Sequence, residues 1–303
     1  MEIYQKLLRV TKNIRKEEPL KKHTTFQIGG PADLLVIPES EQALCEVSRI
    51  LQEERMPYFF LGNGSNLLVS DQGYRGAVVK TTGLCEASVS GNEMTVSAGV
   101  MMSRAASLLF KNGLSGFEAL SGIPGTVGGA VYMNAGAYGA EMKDVVTETV
   151  YLDGAEKKIL PAEQHDFSYR HSFFSGKPFC ILSTRLRLAA DDPEAIRERM
   201  ADYTRRRVSK QPLNLPSAGS TFRRPEGYFA AKLIEDCGLK GKRVGGACVS
   251  EKHSGFLVNT GGATCEDMLR LIDLVKQEVF RQFGVELALE VKTVGEHWKG
   301  VLS

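Results

Sequence analysis

One segment of the sequence has the residue types of an anion-binding loop. Gly62-Asn63-Gly64-Ser65-Asn66 follows the apolar run Tyr58–Leu61, which is typical of a short strand. Consecutive small residues let backbone N–H groups point at one anion, and the serine and asparagine side chains add donors, so the loop suits a pyrophosphate. It is not a dinucleotide fingerprint, because Leu67 stands at the third glycine position, and no Gly-Lys-Ser/Thr of a P-loop follows. A plain turn between two strands is the alternative.

A second glycine-rich segment could approach a flat ligand. It runs through Ser121–Gly129 and continues in Asn134–Gly139. Glycines permit positive φ and close contact with a ring, and Pro124 stiffens the loop. Tight packing of backbone on backbone explains the same glycines equally well. The two glycine-rich segments together favour a large nucleotide ligand more than either does alone.

A third segment, residues 204–225, is basic. It contains five arginines and one lysine but no acidic residue, which fits a site for a diphosphate or for carboxylates. We expect Arg205–Arg207 to be the solvated end of a helix, where positive charge is favourable. Lys210, Arg223 and Arg224 flank a Ser-Ala-Gly-Ser turn and are the better site candidates. Nucleic-acid binding is a weak alternative, because only one aromatic residue interrupts the segment.

Single polar residues carry little information by themselves. Ser220 lacks the Gly-x-Ser-x-Gly surroundings of a hydrolase nucleophile. Arg170 fits an exposed position as well as a binding role, and Glu290 fits the solvent face of a strand. No metal is expected, because metal-ligand spacing is absent among the histidines His23, His165, His171, His253 and His297.

The elements that must position these residues indicate an α+β fold with an α/β beginning. Helices are predicted at residues 2–10, between Ser40 and Pro57, and at residues 103–111, 193–208 and 264–283. Strands are predicted at residues 34–37, 58–61, 77–81, 94–98, 145–152, 179–188, 243–249, 255–259 and 286–294. Asp192 and Pro193 can begin a helix, so a domain boundary is expected near residues 189–193.

The last long helix has the clearest pattern. Thr264 can cap it, with Asp267 three residues further on, and Gly284 follows its end. One apolar stripe runs along it through Met268, Leu271, Leu274 or Val275, Val279 and Phe283.

The composition is that of an ordinary globular protein. Its 303 residues are 43% hydrophobic and 24% charged, and the net charge of +2 argues against binding nucleic acid by charge alone. The first residues lack the apolar stretch of a signal peptide, and glycines interrupt the uncharged stretch 119–140. We therefore expect a cytoplasmic protein with six reduced cysteines that binds neither membrane nor nucleic acid.

Seven short motifs occur in a fixed order along almost the whole chain. They are His23-Thr24-Thr25-Phe26-x-Ile28-Gly29-Gly30-Pro31-Ala32, Leu61-Gly62-x-Gly64-Ser65-Asn66, Gly122-Ile123-Pro124-Gly125-x-x-Gly128-Gly129, Asn134-x-Gly136-Ala137-Tyr138-Gly139, Tyr169-Arg170-x-Ser172, Ala218-Gly219-Ser220-x-Phe222 and Leu289-Glu290-Val291. Each is weak singly, but their joint occurrence is specific. The chain resembles the UDP-N-acetylenolpyruvoylglucosamine reductases, flavoenzymes of peptidoglycan precursor synthesis.

This resemblance implies a fold and a cofactor. The fold would be an FAD-binding α+β module of the vanillyl-alcohol-oxidase (PCMH) type, residues 1–190 in subdomains of about 1–82 and 83–190, with a C-terminal α+β substrate-binding domain, residues 191–303. The pyrophosphate of FAD would lie on Gly62, Asn63, Gly64, Ser65 and Asn66. Its ribityl and isoalloxazine would lie against Ser121, Ile123, Pro124, Gly125, Thr126, Gly128, Asn134, Gly136 and Ala137. The compact chain after Ser220 resembles the shorter of the family's two forms, which lacks an extra tyrosine-bearing loop.

The resemblance also implies a reaction. Hydride from NADPH would reach C3 of the enolpyruvyl ether of UDP-GlcNAc-enolpyruvate through FAD, leaving negative charge at C2 and in the attached carboxylate. Arg170 would contact that carboxylate, Ser220 would deliver a proton to C2, and Glu290 would assist if burial raised its pKa. The implied substrate contacts are Tyr169, Lys210 and Arg224, so the expected partner is this small molecule rather than nucleic acid or a membrane.

Two other functions stay open. One is a related FAD-dependent oxidase of a sugar or hydroxy acid, but many of those tether flavin through Gly-Gly-His, and the corresponding loop here reads Gly-Asn-Gly-Ser. The other is a non-catalytic nucleotide- or nucleic-acid-binding protein that uses Arg205–Arg207 and Lys210. That protein would be colourless and would bind polyanions with steep salt dependence.

Overall fold

The structure, a computed structural model, describes residues 2–295. Its α-helices are α1 (Glu2–Val10), α2 (Glu41–Glu53), α3 (Met102–Lys111), α4 (Val127–Tyr132), α5 (Pro193–Lys210), α6 (Ala230–Asp236) and α7 (Cys265–Phe283). Its strands are β1 (Ile14–Pro19), β2 (Pro31–Val36), β3 (Tyr58–Leu61), β4 (Leu67–Val69), β5 (Tyr74–Lys80), β6 (Ala87–Ser90), β7 (Glu93–Ser97), β8 (Leu114–Ser115), β9 (Gly136–Ala137), β10 (Ala140–Glu141), β11 (Val146–Asp153), β12 (Glu156–Pro161), β13 (Cys180–Arg187), β14 (Ala189–Ala190), β15 (Arg243–Val244), β16 (Ala247–Val249), β17 (Leu257–Asn259) and β18 (Lys292–Val294).

The chain forms two compact units, and neither is continuous in sequence. The first comprises Met1–Lys16, Leu34–Asn63 and Gly76–Arg206. The second comprises Glu17–Asp33, Gly64–Arg75 and Arg207–Ser303. The domain boundary expected near residues 189–193 stays a prediction.

The larger hydrophobic core of the first unit lies beside a five-stranded antiparallel sheet, in the order β12-β11-β13-β7-β6. Helices α3 and α4 supply residues to the same core, including Ala105, Leu109 and Val131. A second core lies where α1 and α2 contribute Leu7, Val47 and other apolar residues. A four-stranded sheet, in the order β1-β2-β5-β3, contributes strand residues to this second core, and its β3 and β5 run parallel.

Most of the predicted elements are confirmed with small shifts at their ends. The side chain of Ser40 caps α2 by accepting from the N–H of Ala43 at 3.1 Å, as the sequence predicts. Pro193 is the first residue of α5, also as predicted. The short strands β1, β6 and β12 and the helix α6 were not predicted, because their sequences carry many charged residues or span few positions.

The prediction of a continuous glycine loop over residues 121–129 is wrong in its second part. Gly128 and Gly129 lie in the short helix α4, which Thr126 caps by accepting from Gly129 N–H at 3.3 Å. Gly128 N–H donates to the carbonyl of Ala98 at 2.9 Å. A Cβ at Gly128 would come within 2.7 Å of Ala98 Cβ, so this glycine allows the helix to lie close to the backbone beside it.

In the second unit, α7 covers a three-stranded sheet in the order β15-β16-β17. Thr264 and Asp267 form the predicted capping box, and Gly284 ends the helix in the left-handed conformation with φ 66°. The predicted apolar stripe is buried except at its end. Phe283 is 39% exposed, because it belongs to the last turn, where residues 280–284 are all exposed.

The last predicted strand, residues 286–294, is too long. Only β18 forms a ladder, parallel to β4, and residues before it make an isolated bridge between Leu289 and Phe222. The alternation nevertheless predicts burial correctly at Leu287 and Val291, which are 2% and 4% exposed. Here the side-chain pattern was preserved although the backbone did not pair continuously.

Among the described residues, no helix combines the length and apolar character that a membrane crossing requires. All six cysteines are free thiols. Of the histidines considered above, His297 lies outside the described residues.

Candidate active site

Within the first unit, the start of the predicted anion loop meets the second glycine-rich segment. Parallel strands β3 and β5 end at the same edge of their sheet, where Leu61 is paired with Lys80. Gly62 and Asn63 follow β3, and the side-chain amide of Asn63 donates to the carbonyl of Pro124 at 2.7 Å. Two segments separated by about sixty residues are thus joined by one short hydrogen bond.

The glycines of these segments show whether the segments fit a large ligand. Internal packing explains some of them and leaves space at others. A Cβ at Gly62 would come within 2.5 Å of Thr126 Oγ1, so packing alone explains that glycine. A Cβ at Gly129 would meet nothing closer than 3.5 Å, and one at Gly139 would meet nothing within 4 Å. Internal packing therefore leaves backbone accessible at these two positions, as a bound dinucleotide such as FAD requires.

A buried carboxylate holds the residues just before this loop. Glu118 is 6% exposed, and it accepts from Gly116 N–H at 2.7 Å and from both Nε and Nη2 of Arg199, at 3.0 and 2.8 Å. Burial alone would raise the pKa of Glu118, but these hydrogen bonds outweigh it and lower the pKa. The carbonyl of Glu118 accepts from the hydroxyl of Ser121 at 2.6 Å. Helix α5 thus anchors a predicted flavin-binding loop through Arg199.

The end of the glycine-rich segment is a small hairpin. Gly136 and Ala137 form β9, which pairs antiparallel with β10. A Cβ at Gly136 would lie 2.8 Å from the carbonyl oxygen of Ala140, so close pairing explains this glycine. Tyr138 at the tip has φ 53° and stacks on Tyr203 of α5, with ring centroids 4.9 Å apart.

Asn134, predicted as a cofactor contact, is fully buried and uses its polar atoms inside the protein. Its Nδ2 donates to Glu141 Oε2 and to the carbonyl of Ser168, both at 3.1 Å. Its Oδ1 accepts from Lys143 N–H at 3.0 Å. Asn134 thus joins the glycine-rich segment to the residue that begins the Arg170 turn.

Arg170 lies at the tip of a tight turn. Ser168 and His171 exchange two backbone hydrogen bonds of 3.2 Å across it. Arg170 has φ 55°, a region that residues other than glycine seldom adopt. Its guanidinium carbon lies 5.0 Å from the ring centre of Tyr169, which is 46% exposed. The turn therefore presents a planar cation and an aromatic ring side by side.

Two further buried residues support this turn, and sequence reasoning assigned no role to either. The hydroxyl of Ser172 donates to the carbonyl of Tyr132, at the end of α4, at 2.7 Å. His165 Nδ1 lies 2.9 Å from the carbonyl of Pro161, and its Nε2 lies 2.8 Å from the hydroxyl of Thr149. A carbonyl accepts only, so the proton belongs on Nδ1. Burial lowers the pKa of His165, which keeps the ring neutral.

In the second unit, Gly64, Ser65 and Asn66 continue the anion loop. The carbonyl of Gly64 accepts from Thr25 N–H at 3.2 Å, and a Cβ at Gly64 would lie 2.2 Å from the carbonyl oxygen of His23. This explains why a glycine stands opposite the His23-Thr24-Thr25 motif. Asn66 donates through Nδ2 to the carbonyl of Glu290 at 3.2 Å and accepts from Lys292 N–H at 2.9 Å.

Ser220 and Glu290 lie on neighbouring backbone segments of the second unit. The residue after Ser220, Thr221, is fully buried and accepts through its carbonyl from Glu290 N–H at 2.9 Å. Thr221 N–H donates to the carbonyl of Gly255 at 2.9 Å, and Thr221 Oγ1 accepts from Leu257 N–H at 3.2 Å. Thr221 thus lies between the segment of Gly255 and Leu257 and the segment of Glu290 and bonds to both, and no sequence pattern had singled it out. Ser220 and Glu290 are both half-buried.

The basic residues of the second unit are more exposed. Lys210, the last residue of α5, is exposed, as is Arg224, whose guanidinium carbon lies 3.8 Å above the ring of Phe229. In the first unit, Arg205 and Arg206 are exposed and pair with Asp202 on the same helix, which agrees with a solvated helix end. Within residues 2–295, no group of three His, Cys, Asp or Glu side chains is arranged to hold a metal ion.

Two known families match separate parts of the chain and together cover most of it. Residues 211–294 match the family description "UDP-N-acetylenolpyruvoylglucosamine reductase, C-terminal domain", and residues 32–159 match "FAD binding domain". A UDP-N-acetylenolpyruvoylglucosamine reductase of Caldanaerobacter subterraneus is 50% identical over 280 residues, covering 92% of this chain and 93% of the relative. One of Clostridioides difficile is 47% identical over 300 residues, covering 97% and 98%.

Solved structures agree with these sequence matches. The crystal structure of a UDP-N-acetylenolpyruvylglucosamine reductase from Thermus caldophilus superposes with a TM-score of 0.81 at 34% identity, covering 93% of this chain and 100% of the other. An alkyldihydroxyacetonephosphate synthase superposes over 62% of this chain and 40% of its own, with a TM-score of 0.51 at 15% identity. That second likeness concerns the fold alone.

Proposed function

The chain belongs to the UDP-N-acetylenolpyruvoylglucosamine reductase family, and we infer from this that it reduces UDP-N-acetylglucosamine enolpyruvate to UDP-N-acetylmuramate with NADPH, as an FAD-dependent enzyme. The fold agrees with this inference, since it is the PCMH-type FAD-binding α+β fold with the family's C-terminal domain. The reaction is one step of peptidoglycan precursor synthesis.

The residues that would hold FAD are those of the two glycine-rich segments. When bound, FAD supplies hydride to C3 of the enolpyruvyl group after reduction by NADPH. The backbone at Gly129 and Gly139 has room for a ligand, and Thr126 and Asn63 hold the surrounding loop in shape. Ser65 and Asn66 would add polar contacts to the pyrophosphate.

We propose that Ser220 donates the proton that C2 of the substrate requires. A serine hydroxyl is a weak acid in water, so the site must stabilise the alkoxide that proton transfer leaves. The observation that carries this assignment is the 2.9 Å bond between Glu290 N–H and the carbonyl of Thr221, which sets Ser220 and Glu290 on adjacent segments. Glu290 would then assist the proton transfer.

We assign Arg170 to the substrate carboxylate. A planar guanidinium can bind both carboxylate oxygens at once, and it can hold the negative charge that develops there after hydride arrives at C3. The left-handed turn supports this role, because strain of this kind persists where the surrounding structure enforces it. Tyr169, Lys210 and Arg224 would contribute further substrate contacts, the last two to its anionic groups.

The cellular role follows from the reaction. We propose that the enzyme works in the cytoplasm on a small-molecule substrate, without nucleic acid or membrane as a partner. Loss of the reaction would deprive the cell wall of a precursor, so cell shape and cell division would depend on it.

One anaerobic experiment tests the reaction. NADPH added to the purified yellow protein should bleach the flavin absorbance, and UDP-N-acetylglucosamine enolpyruvate should then restore it. A protein that turns over a sugar or hydroxy acid with oxygen, or that keeps its flavin after denaturation, would instead be the related oxidase. A colourless protein that binds polyanions would be the non-catalytic alternative.

A further inference from the structure

The turn that presents Arg170 is attached to the protein by buried side chains rather than by a sheet. Backbone hydrogen bonds join Ser168 and His171 across its tip, and a further one, from Phe173 N–H to the carbonyl of His165 at 2.6 Å, joins the residues on either side of it. A two-residue tip of this kind has little rigidity by itself, because nothing in it fixes the direction of the turn relative to the core. The groups that grip Ser168 and His171 therefore decide where the tip points.

Asn134 is one of these groups, and it comes from a distant segment. Its Nδ2 donates at 3.1 Å to the carbonyl of Ser168, the first residue of the turn. The same carbonyl accepts from His171 N–H at 3.2 Å, so both of its lone pairs are used. Asn134 is 0% exposed, so removing its amide leaves the carbonyl of Ser168 buried without this partner.

The other polar atoms of Asn134 fix its orientation. Nδ2 also donates to Glu141 Oε2 at 3.1 Å, and Oδ1 accepts from Lys143 N–H at 3.0 Å. Both donors and the acceptor have partners within the protein, so the amide cannot rotate without breaking a bond. Asn134 itself has φ 42°, a conformation that asparagine tolerates better than most residues.

We propose that Asn134 is a positioning residue for Arg170: it acts through the carbonyl of Ser168 and touches neither FAD nor substrate. This inference rests on the role proposed above for Arg170. It replaces the direct cofactor contact that the motif alone implied, because every polar atom of this side chain is already engaged by protein atoms.

Two substitutions separate the hydrogen bonds from the backbone conformation. Asn134→Gly keeps the positive φ without strain but removes all three hydrogen bonds. Asn134→Asp keeps the shape and the acceptor for Lys143 N–H, but it places an oxygen against the carbonyl of Ser168. Asn112→Ala is the matched control, because Asn112 also donates its amide to a backbone carbonyl, that of Leu108 at 2.8 Å, but lies at an exposed helix end.

The decisive measurement is a double-mutant cycle on the rate at which UDP-N-acetylglucosamine enolpyruvate reoxidises the reduced flavin. When Arg170 is intact, each Asn134 substitution should slow reoxidation by about tenfold or more. In the Arg170→Ala background, the same substitution should slow it by less than about twofold. Reduction by NADPH and the affinity of the apoprotein for FAD, followed by flavin fluorescence, should stay within about twofold of wild type. Asn112→Ala should change none of them.

The outcomes separate this inference from the function on which it rests. If Arg170→Ala slows reoxidation but an Asn134 variant slows it equally in both backgrounds, the positioning role is wrong and the Arg170 role stands. If FAD affinity falls while the cycle is additive, Asn134 is a cofactor contact. If Arg170→Ala reoxidises at the wild-type rate, both the proposed role of Arg170 and the inference fail. If Asn134→Gly does not fold, the same double-mutant cycle is measured with Asn134→Asp.

Discussion

Arg170 and Ser220 are each presented by a short irregular segment, but the two segments are held differently. Buried side chains, those of Asn134 and Ser172, attach the Arg170 turn to the first unit. In the second unit, the segment after Ser220 is held mainly by backbone hydrogen bonds, in which Thr221 joins Gly255 on one side and Glu290 on the other.

This difference has a consequence for how each site responds to substitution. A side-chain anchor disappears when one residue is replaced, whereas a backbone bond survives any substitution that keeps the chain in place. The position of Arg170 should therefore depend on the identity of distant residues. The position of Ser220 should depend mainly on whether the second unit is folded.

The largest expected effect tests the chemistry at Ser220 itself. Ser220→Ala should leave flavin reduction by NADPH largely intact and should slow reoxidation by substrate about 10²–10⁴-fold, since general acid catalysis contributes about that much. Stopped-flow absorbance of the two half-reactions measures both. Ser217→Ala, in the same Ser-Ala-Gly-Ser turn, is the control and should behave as wild type. Equal loss in both half-reactions would make Ser220 a structural residue.

The next effect tests whether the site needs the bidentate guanidinium of Arg170 or only a positive charge at that position. Arg170→Lys should slow reoxidation by about tenfold to a hundredfold, because a lysine ammonium is a point charge that cannot bind both carboxylate oxygens in one plane. The maximal rate should fall more than the apparent affinity for substrate. Arg270→Lys, on the exposed face of α7, is the matched control. Near wild-type reoxidation in Arg170→Lys would remove the carboxylate role.

The sequence predicted much of this arrangement, and the parts it missed have a common cause. Local patterns predicted α7 with its Thr264 cap, the start of α2 after Ser40, the bounds of β3, and the loop at Gly62. Each of these depends on residues close together in sequence, for which capping and periodicity are direct signals.

The missed features depend on contacts between distant residues. The bond from Asn63 to Pro124 and the pairing of Thr221 with Glu290 join positions far apart, and nothing local distinguishes them. The glycine at position 128 permits a helix to approach Ala98, which a glycine-rich sequence cannot distinguish from an open loop. The motif Tyr169-Arg170-x-Ser172 contained a usable signal, because a small hydroxyl residue two positions after the turn can anchor it to backbone.

A smaller effect tests the backbone-held side of the comparison. Thr221→Val removes the acceptor for Leu257 N–H and should lower the free energy of unfolding by about 1–3 kcal/mol, the cost of an unpaired buried donor. Reoxidation should change by less than about threefold, because the backbone bonds of residue 221 remain. Urea unfolding and stopped-flow absorbance measure the two effects.

The control for this prediction is Thr147→Val: Thr147 is half-buried at a register shift in β11, and its hydroxyl donates to the carbonyl of the exposed Arg185 at 3.2 Å. This substitution should lower the free energy of unfolding by less than about 0.5 kcal/mol, as substitutions away from buried hydrogen-bond networks usually do. A loss of reoxidation in Thr221→Val as large as that expected for Asn134→Gly would show that side chains hold both sites, and the contrast between the two segments would disappear.

The smallest effect concerns the pH dependence of the support beneath the Arg170 turn. Burial lowers the pKa of His165 below its ordinary value near 6.5, so the folded protein keeps this ring neutral where the unfolded chain protonates it. Above pH 6.5 both states are neutral and the group has no effect. As the pH falls through that value, the unfolded chain binds the extra proton, and the free energy of unfolding decreases by at most about 1.4 kcal/mol per pH unit.

His165→Gln should therefore be less stable than wild type at pH 7.5, because it loses the fitted hydrogen bonds to Pro161 and Thr149, but its stability should fall less between pH 7 and 5. Urea unfolding across about pH 5–7.5 measures both slopes. Parallel curves for the two proteins would mean that His165 does not carry this pH dependence. Suppose instead that the stability of His165→Gln depends less on pH and that its reoxidation at pH 7.5 is slower than in the wild type. His165 would then join Asn134 and Ser172 as a third buried side chain that positions Arg170.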